Sequence, residues 1–168
     1  MITADEIKAA LGLEPLPMEG GYFAETYRAA ESLPESALPE GYGGPRQLAT
    51  AIYYLITPDT FSAMHRLCSD EVYHFYAGSP VEMLQLHPGG TVRTITLGPD
   101  ILGGMRPQAV VPKGVWQGSR LIKGGEFALL GTSMAPGFDP ADYEHGSREE
   151  LMRIFPEARD LITALTRD

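Results

Sequence analysis

Residues 50–86 read TAIYYLITPDTFSAMHRLCSDEVYHFYAGSPVEMLQL. Gln47–Thr57 is rich in β-branched and aromatic residues and stops at Pro58; Phe61–Leu67, Glu71–Tyr76 and Val81–Leu86 follow, with Gly78-Ser-Pro80 as one break. Each run has strand length and is bounded by turn residues. The same cadence extends outward. Thr91–Leu97, Gln108–Val111, Val115–Leu121 and Phe127–Met134 lie downstream, separated by His87-Pro-Gly-Gly90, Pro112-Lys-Gly114 and Gly124-Gly125. Upstream, Tyr22–Arg28 alternates well enough for a further strand. Short strands at regular spacing predict an all-β sandwich or barrel with its core over about 20–135. No βαβ unit can be drawn, which disfavours a doubly wound nucleotide-binding sheet.

The flanks read as helix. Thr3-Ala-Asp-Glu6 forms a capping box, Ile7, Ala10 and Leu11 give an apolar face, and Gly12 ends it, so a helix is expected over 3–11. Ser147-Arg-Glu-Glu150 is a second capping box; Pro156 breaks the following pattern, and Leu161, Ile162 and Leu165 continue it, giving helix within 147–166. Between Arg28 and Gln47, six Gly and Pro residues leave no room for a regular element, so 29–46 is expected to be a long surface loop, a candidate lid over the barrel mouth. The 168 residues suit one domain, 1–168, and no linker divides them.

Composition excludes several functions. Hydrophobic residues make up 43% and charged residues 21%, and no apolar run approaches the roughly 20 residues of a membrane helix. A net charge of −9 argues against binding a nucleic-acid backbone. The start MITADEIKAA lacks the basic and apolar stretches of a secretory signal, so a cytoplasmic protein is expected. With one cysteine, Cys68, neither an internal disulfide nor a cysteine-rich zinc site can form. Cys68 reads as a small buried residue rather than a nucleophile, and the chain holds no P-loop, dinucleotide fingerprint or nucleophile elbow.

Chemistry can come from His65 and Glu71. An imidazole and a carboxylate converging inside a barrel can act as base and acid or hold a divalent ion; the plainer alternative is a surface His beside a surface Glu. Side chains on one strand share a face only at even separations. Glu71, Tyr73 and Phe75 therefore fall on one face and Val72, His74 and Tyr76 on the other, which separates His74 from Glu71. His65 is expected to share a face with Ala63 and Phe61, and Gln117 with Ser119, while Trp116 points away. His87 and His145 sit in turn-like sequence and are expected to be solvated.

Two segments add a resemblance. His65-Arg-Leu67-Cys-Ser-Asp-Glu71, six residues and Gly78 resemble the first motif of the cupin superfamily, G-x5-H-x-H-x3–4-E-x6-G. Pro112-Lys-Gly114-Val-Trp-Gln117 resembles the second, G-x5-P-x-G-x2-H-x3-N. Glu19–Arg28, Thr50–Tyr54, Ser69–Gly78, Val110–Gln117 and Ala135–Glu144 are similar to cupin family 5, a family often labelled predicted sugar epimerase. The resemblance implies a double-stranded β-helix, that is, a small jelly-roll barrel, as a homodimer.

Carried over by motif, the four metal ligands of metal-binding cupins fall on His65, Leu67, Glu71 and Gln117. Leucine cannot coordinate and an amide oxygen is a poor transition-metal ligand. No cofactor is therefore expected, with His65, Glu71 and Gln117 left as weak donors for a divalent metal. Metal-free sugar-nucleotide epimerases of the superfamily use a His base with a Tyr acid opposite, and His65 matches the base. Tyr53 is a candidate to face it, and Gln117 and Ser119 are candidates to bind the ligand. Two readings follow. In one, the protein is an epimerase or isomerase of a sugar or keto-sugar derivative, with His65 as base and Glu71 setting its tautomer. In the other, it is a non-catalytic binder of a small polar ligand with a degenerate metal site.

Overall fold

A computed structural model describes residues 2–167, leaving Met1 and Asp168 of the expected 1–168 domain outside the described residues. The strands are β1 (Glu14–Pro15), β2 (Tyr22–Arg28), β3 (Ser32–Leu33), β4 (Arg46–Gln47), β5 (Thr50–Ile56), β6 (Ser62–Arg66) and β7 (Glu71–Gly78). They continue as β8 (Val81–Leu86), β9 (Val92–Leu97), β10 (Gln108–Val111), β11 (Trp116–Leu121), β12 (Ala128–Met134) and β13 (Glu144–His145). The helices are α1 (Ala4–Leu11), α2 (Arg148–Ile154) and α3 (Arg159–Ala164). None of the described helices is long and apolar enough to cross a membrane.

Six strands form one antiparallel sheet in the order β1-β2-β5-β12-β7-β10, and five form a second in the order β13-β6-β11-β8-β9. The core fills the space between them. Tyr54 and Ile56 of β5, Tyr73 of β7, Leu130 of β12 and Ala109 and Val111 of β10 meet Val81, Met83, Ile95 and Leu97 of the opposite sheet. This is the expected jelly roll, and every strand predicted from Tyr22 to Met134 is present within a few residues of its predicted bounds.

The outer faces are covered by the termini. Met64, Leu84, Leu86 and Trp116 pack under α2 and α3 through Leu151, Phe155, Ile162 and Leu165. Helix α1 lays Ile7 against Leu55 and Phe127 on the other sheet. Its start is the predicted capping box, with the Glu6 amide donating to Thr3 Oγ1 and the Thr3 amide donating to Glu6 Oε2 at 2.8 Å. At Ser147 the forward bond forms among the described residues, from the Glu150 amide to Oγ at 3.5 Å.

Two expectations need correction. Alternation put Phe61 on the face of His65. On β6, however, His65 pairs with Gln117 and Ser62 with Ser119, so three steps on β6 match two on β11. This β-bulge holds one extra residue. Ser62 takes the inner position beside His65, and Phe61 turns outward onto the C-terminal helices.

Segment 29–46 is also more ordered than its glycines and prolines predict. Strands β3 and β4 pair, and a 3-10 turn spans Glu35–Ala37. Buried Tyr42 donates to the Cys68 carbonyl and bonds Ser69 Oγ. Buried Arg46 donates from Nε and Nη2 to the two oxygens of Asp142 at 2.8 and 2.5 Å. The segment is exposed over most of 30–41 and anchored at its end.

Removing one partner of a buried ion pair strands the other charge, at a cost of about 3–5 kcal/mol. Asp142→Ala is expected to lower unfolding stability by about that amount, read from the urea midpoint. A change within about 0.5 kcal/mol, the scale of an ordinary surface substitution, would show that the pair carries no such role.

Candidate functional site

His65 sits on β6 with its side chain fully buried. Its Nδ1 lies 2.7 Å from the carbonyl of Ala63. A carbonyl only accepts, so Nδ1 carries the proton and, in the neutral ring, Nε2 keeps its lone pair. Nε2 has no hydrogen-bond partner among the described residues and lies 3.8 Å from Glu19 Oε2. The Tyr143 ring stacks on the imidazole with centroids 5.1 Å apart. Burial, and then the Glu19 charge, push the Tyr143 hydroxyl well above the usual tyrosine range.

Glu19, which is not among the site residues expected from the sequence, stands in a Glu-Gly-Gly turn. That turn requires its glycines. Gly20 and Gly21 have φ of 104° and 71°, and a Cβ at Gly20 would stand 2.3 Å from the Phe61 carbonyl. The tight turn brings the Glu19 carbonyl onto the Ala63 amide at 2.8 Å and its carboxylate onto Ser62 Oγ, which donates to Oε1 at 2.6 Å. Spacing gives no signal of this, because Ser62 is 43 residues away.

Glu71 opens β7 and is buried. Gln117 Nε2 donates to its Oε2 at 2.5 Å. Burial raises the Glu71 carboxyl above the ordinary 4.5, and the Glu19 charge raises it further; His65, Gln117 and Thr132 oppose the shift. Gln117 stands between His65 and Gln85 in the register. His65 Nε2, Gln117 Oε1, Ser119 Oγ and Gln85 Oε1 are all buried without partners among the described residues. Most buried polar atoms are hydrogen-bonded, so four on one sheet face single this surface out as the candidate site.

A cavity of about 390 Å³ opens beside this group. Its polar and charged lining includes Glu19, Glu25, Arg28, Glu71 and Thr132, and Leu16, Phe23, Ile52, Met134 and Phe138 are among its apolar lining. His65 and Gln117 are not among its lining residues; they stand behind Glu19 and Glu71. No residue of 29–46 lines it, so its rim is made by segments 16–19 and 138–143 instead of the expected lid.

The structure thus brings Glu71, Gln117, Ser119 and His65 to the interior and separates Tyr53 from them. Tyr53 packs in the cluster beneath α1 and meets Tyr76 edge-on at 6.1 Å. Its neighbour Tyr54 takes the inner face and donates to the Gly20 carbonyl at 2.8 Å. Alternation requires one of the two to face out, and it is Tyr53. The tautomer role expected of Glu71 also moves, because the Ala63 carbonyl holds Nδ1. His74 lies on the outer face, bonded to Ser133 Oγ and Gln108, as strand parity requires.

The donor set does not suit the metal centre of the superfamily. Leu67, at the second motif-one histidine position, presents hydrocarbon to the cavity. Gln117 offers only an amide, and among the described residues no three His, Cys, Asp or Glu side chains are grouped to hold an ion.

The raised Glu71 carboxyl makes a pH prediction. Its stabilising contribution is fully present below about 4.5, its ordinary value, and is lost as pH rises through its folded value. Glu71→Gln keeps an acceptor for Gln117 and removes the buried charge. It is expected to raise Tm above wild type at pH 8, with the gap closing toward pH 4. A gap that is constant across this range would contradict the shift.

The comparisons agree with this architecture. The family profile Cupin_5, described as "Cupin superfamily (DUF985)", matches residues 5–146. The uncharacterised Saccharomyces cerevisiae protein YML079W is 32% identical over 143 residues, 80% of this chain and 71% of that one. Protein SO0799 from Shewanella oneidensis superposes with a TM-score of 0.86 at 35% identity, covering 99% of both chains. A hypothetical protein from Leishmania major gives 0.89 at 28% identity, over 99% of this chain and 100% of that one. Oxalate decarboxylase from Bacillus subtilis, at 12% identity and a TM-score of 0.53 over 91% of this chain and 37% of that one, shares the fold alone. With its two-sheet barrel, both motif segments in place and a profile match across most of its length, the chain belongs to the Cupin_5 family of the cupin superfamily.

Proposed function

We propose that this cupin moves a proton on a small carbonyl compound, as an epimerase or isomerase of a sugar or keto-sugar derivative, without a metal. The observation that carries this reading is the buried His65, fixed at Nδ1 by the Ala63 carbonyl with Nε2 open toward Glu19. Glu19 lines the cavity and His65 stands behind it. A proton leaving the carbon next to a substrate carbonyl is taken up at this pair and held on Nε2. The Glu71 carboxyl, raised above its ordinary value by burial and then by the Glu19 charge, donates a hydrogen bond in its protonated form to the oxygen that gains charge. Delivery of a proton from water to the other face of the carbon completes an epimerisation, the proton on Nε2 passing back to water, and no external oxidant or reductant is needed. Gln117 holds Glu71 in place.

A second reading, a binding protein without turnover, is favoured by one fact: the His65 side chain is fully buried and does not line the cavity. Deuterium exchange separates the two. Reducing sugars and keto-sugars are incubated in deuterated water and followed by proton NMR. The enzyme reading expects exchange next to the carbonyl, reduced about 100-fold or more in His65→Gln, the usual scale for a general base. His74→Gln, on the outer face, should keep the wild-type rate. A sugar that binds without exchange assigns the binding reading.

We also propose a cytoplasmic homodimer joined along β2, whose residues beyond Phe23 have no strand partner on their outer edge among the described residues. Light scattering at high concentration should give twice the chain mass of 18.3 kDa. The metal-free reading predicts that Leu67→His with Gln117→His raises zinc affinity at least 100-fold over wild type, measured by competition with a chelating dye. Equal affinities would sink the motif assignment.

A further inference from the structure

The charges around the cavity are unequal. Glu19, Glu25 and Glu71 line it, and Arg28 is the one cation among the lining residues. Arg28 is fully engaged. Its Nε and Nη2 donate to the Glu25 carboxylate at 2.9 and 2.7 Å, its Nη1 to Gln47 Oε1 at 2.9 Å, and both Nη atoms to the Phe138 carbonyl at 3.3 Å. A guanidinium has five N–H donors, and these bonds use all five. Arg167, beneath the rim segment, donates to the carbonyls of Pro17, Met18 and Glu19. Arg46 is held by Asp142. An anionic ligand would therefore meet carboxylates with no cation to pair with, in surroundings that screen charge poorly.

Most of the remaining lining is apolar, with Thr50, Thr132 and Tyr143 as its other polar side chains. Phe23, Ile52, Phe138, Leu16 and Met134 line the same cavity as Glu19 and Glu71. A free sugar carries hydroxyls on every side and would strip water from them against these walls without a partner in return. The Glu19 carboxylate is an acceptor and calls for a donor, and Glu71 accepts when ionised and donates when protonated, so a hydroxyl suits both.

We infer that the cavity takes a non-anionic amphiphile, with a hydroxyl- or amine-bearing head on Glu19 and Glu71 and an apolar arm along Phe23, Ile52 and Phe138. Phosphorylated and nucleotide-linked sugars are excluded. This deepens the functional reading and rests on its placing of the ligand site at Glu19 and Glu71, but not on turnover.

The test is titration calorimetry of the full chain at pH 7.5 with three probes: hexyl β-glucoside, glucose and hexyl phosphate. The glucoside should bind at least tenfold more tightly than glucose, which lacks the arm. It should also bind at least tenfold more tightly than hexyl phosphate, which has the arm but an anionic head. Phe138→Ala should weaken glucoside binding at least threefold. The inference is overturned if hexyl phosphate matches the glucoside, if glucose matches it, if Phe138→Ala leaves it unchanged, or if none of the three binds. Glucoside binding without proton exchange on any sugar would refute turnover and uphold the ligand class. Exchange on a phosphorylated sugar would do the reverse.

Discussion

One extra residue in β6 underlies the arrangement of the whole site. With regular alternation, Ser62 and His65 would lie on opposite faces. The bulge opposite Gln117–Ser119 places both inside and sends Phe61 and Met64 outward to the C-terminal helices. The partner strand accommodates it with Gly118, where a Cβ would come within 2.7 Å of Met64 Sδ. Ser62 then meets Glu19, and His65 meets both Glu19 and the Ala63 carbonyl. The imidazole orientation, the carboxylate beside it and the packing of the outer helices are thus consequences of one register shift.

Within the barrel, the inner face divides into two chemistries. Toward β9 and β10 it is closed by Met83, Ile95, Leu97 and Val111, which give the domain its core. Toward β6 and β11 it carries His65, Gln117 and Ser119, with Glu71 reaching in from the other sheet. Burying so many polar atoms costs stability wherever they lack partners. Burial, and then repulsion from the Glu19 carboxylate, make Glu71 hold its proton more tightly than an exposed glutamate. Stability is supplied around the site, by the terminal helices over both outer faces and by the Arg46–Asp142 pair that ties 29–46 to the segment after β12.

The family relationship and the site chemistry diverge at two positions. The two-sheet barrel is shared with oxalate decarboxylase at 12% identity, and Leu67 and Gln117 stand where the superfamily motifs carry histidines. A fold hosts many functions, and the function must be argued from the site. Here the candidate site is a group of buried polar and titratable side chains beside a largely apolar cavity.

Most of the barrel was legible in the sequence, because period-2 alternation and Gly/Pro punctuation are local properties. Parity on β7 and β11 sorted Glu71 from His74 and Gln117 from Trp116, since neither strand is bulged between those residues. Parity failed at Phe61, because nothing in the residues 61–65 themselves signals an extra residue; the pairing with β11 imposes it. Tyr53 and Tyr54 could not be told apart, as both faces of β5 are apolar, one under α1 and one in the core. Glu19 was invisible as a site residue because its meaning lies in long-range contacts to Ser62 and His65. The amino-acid sequence by itself determined which residues alternate, where strands stop and that Leu67 and Gln117 occupy two motif positions where the superfamily pattern has histidine. Only the tertiary structure decided which carboxylate faces the imidazole and which residues line the cavity, since those depend on register and on the meeting of segments distant in the chain.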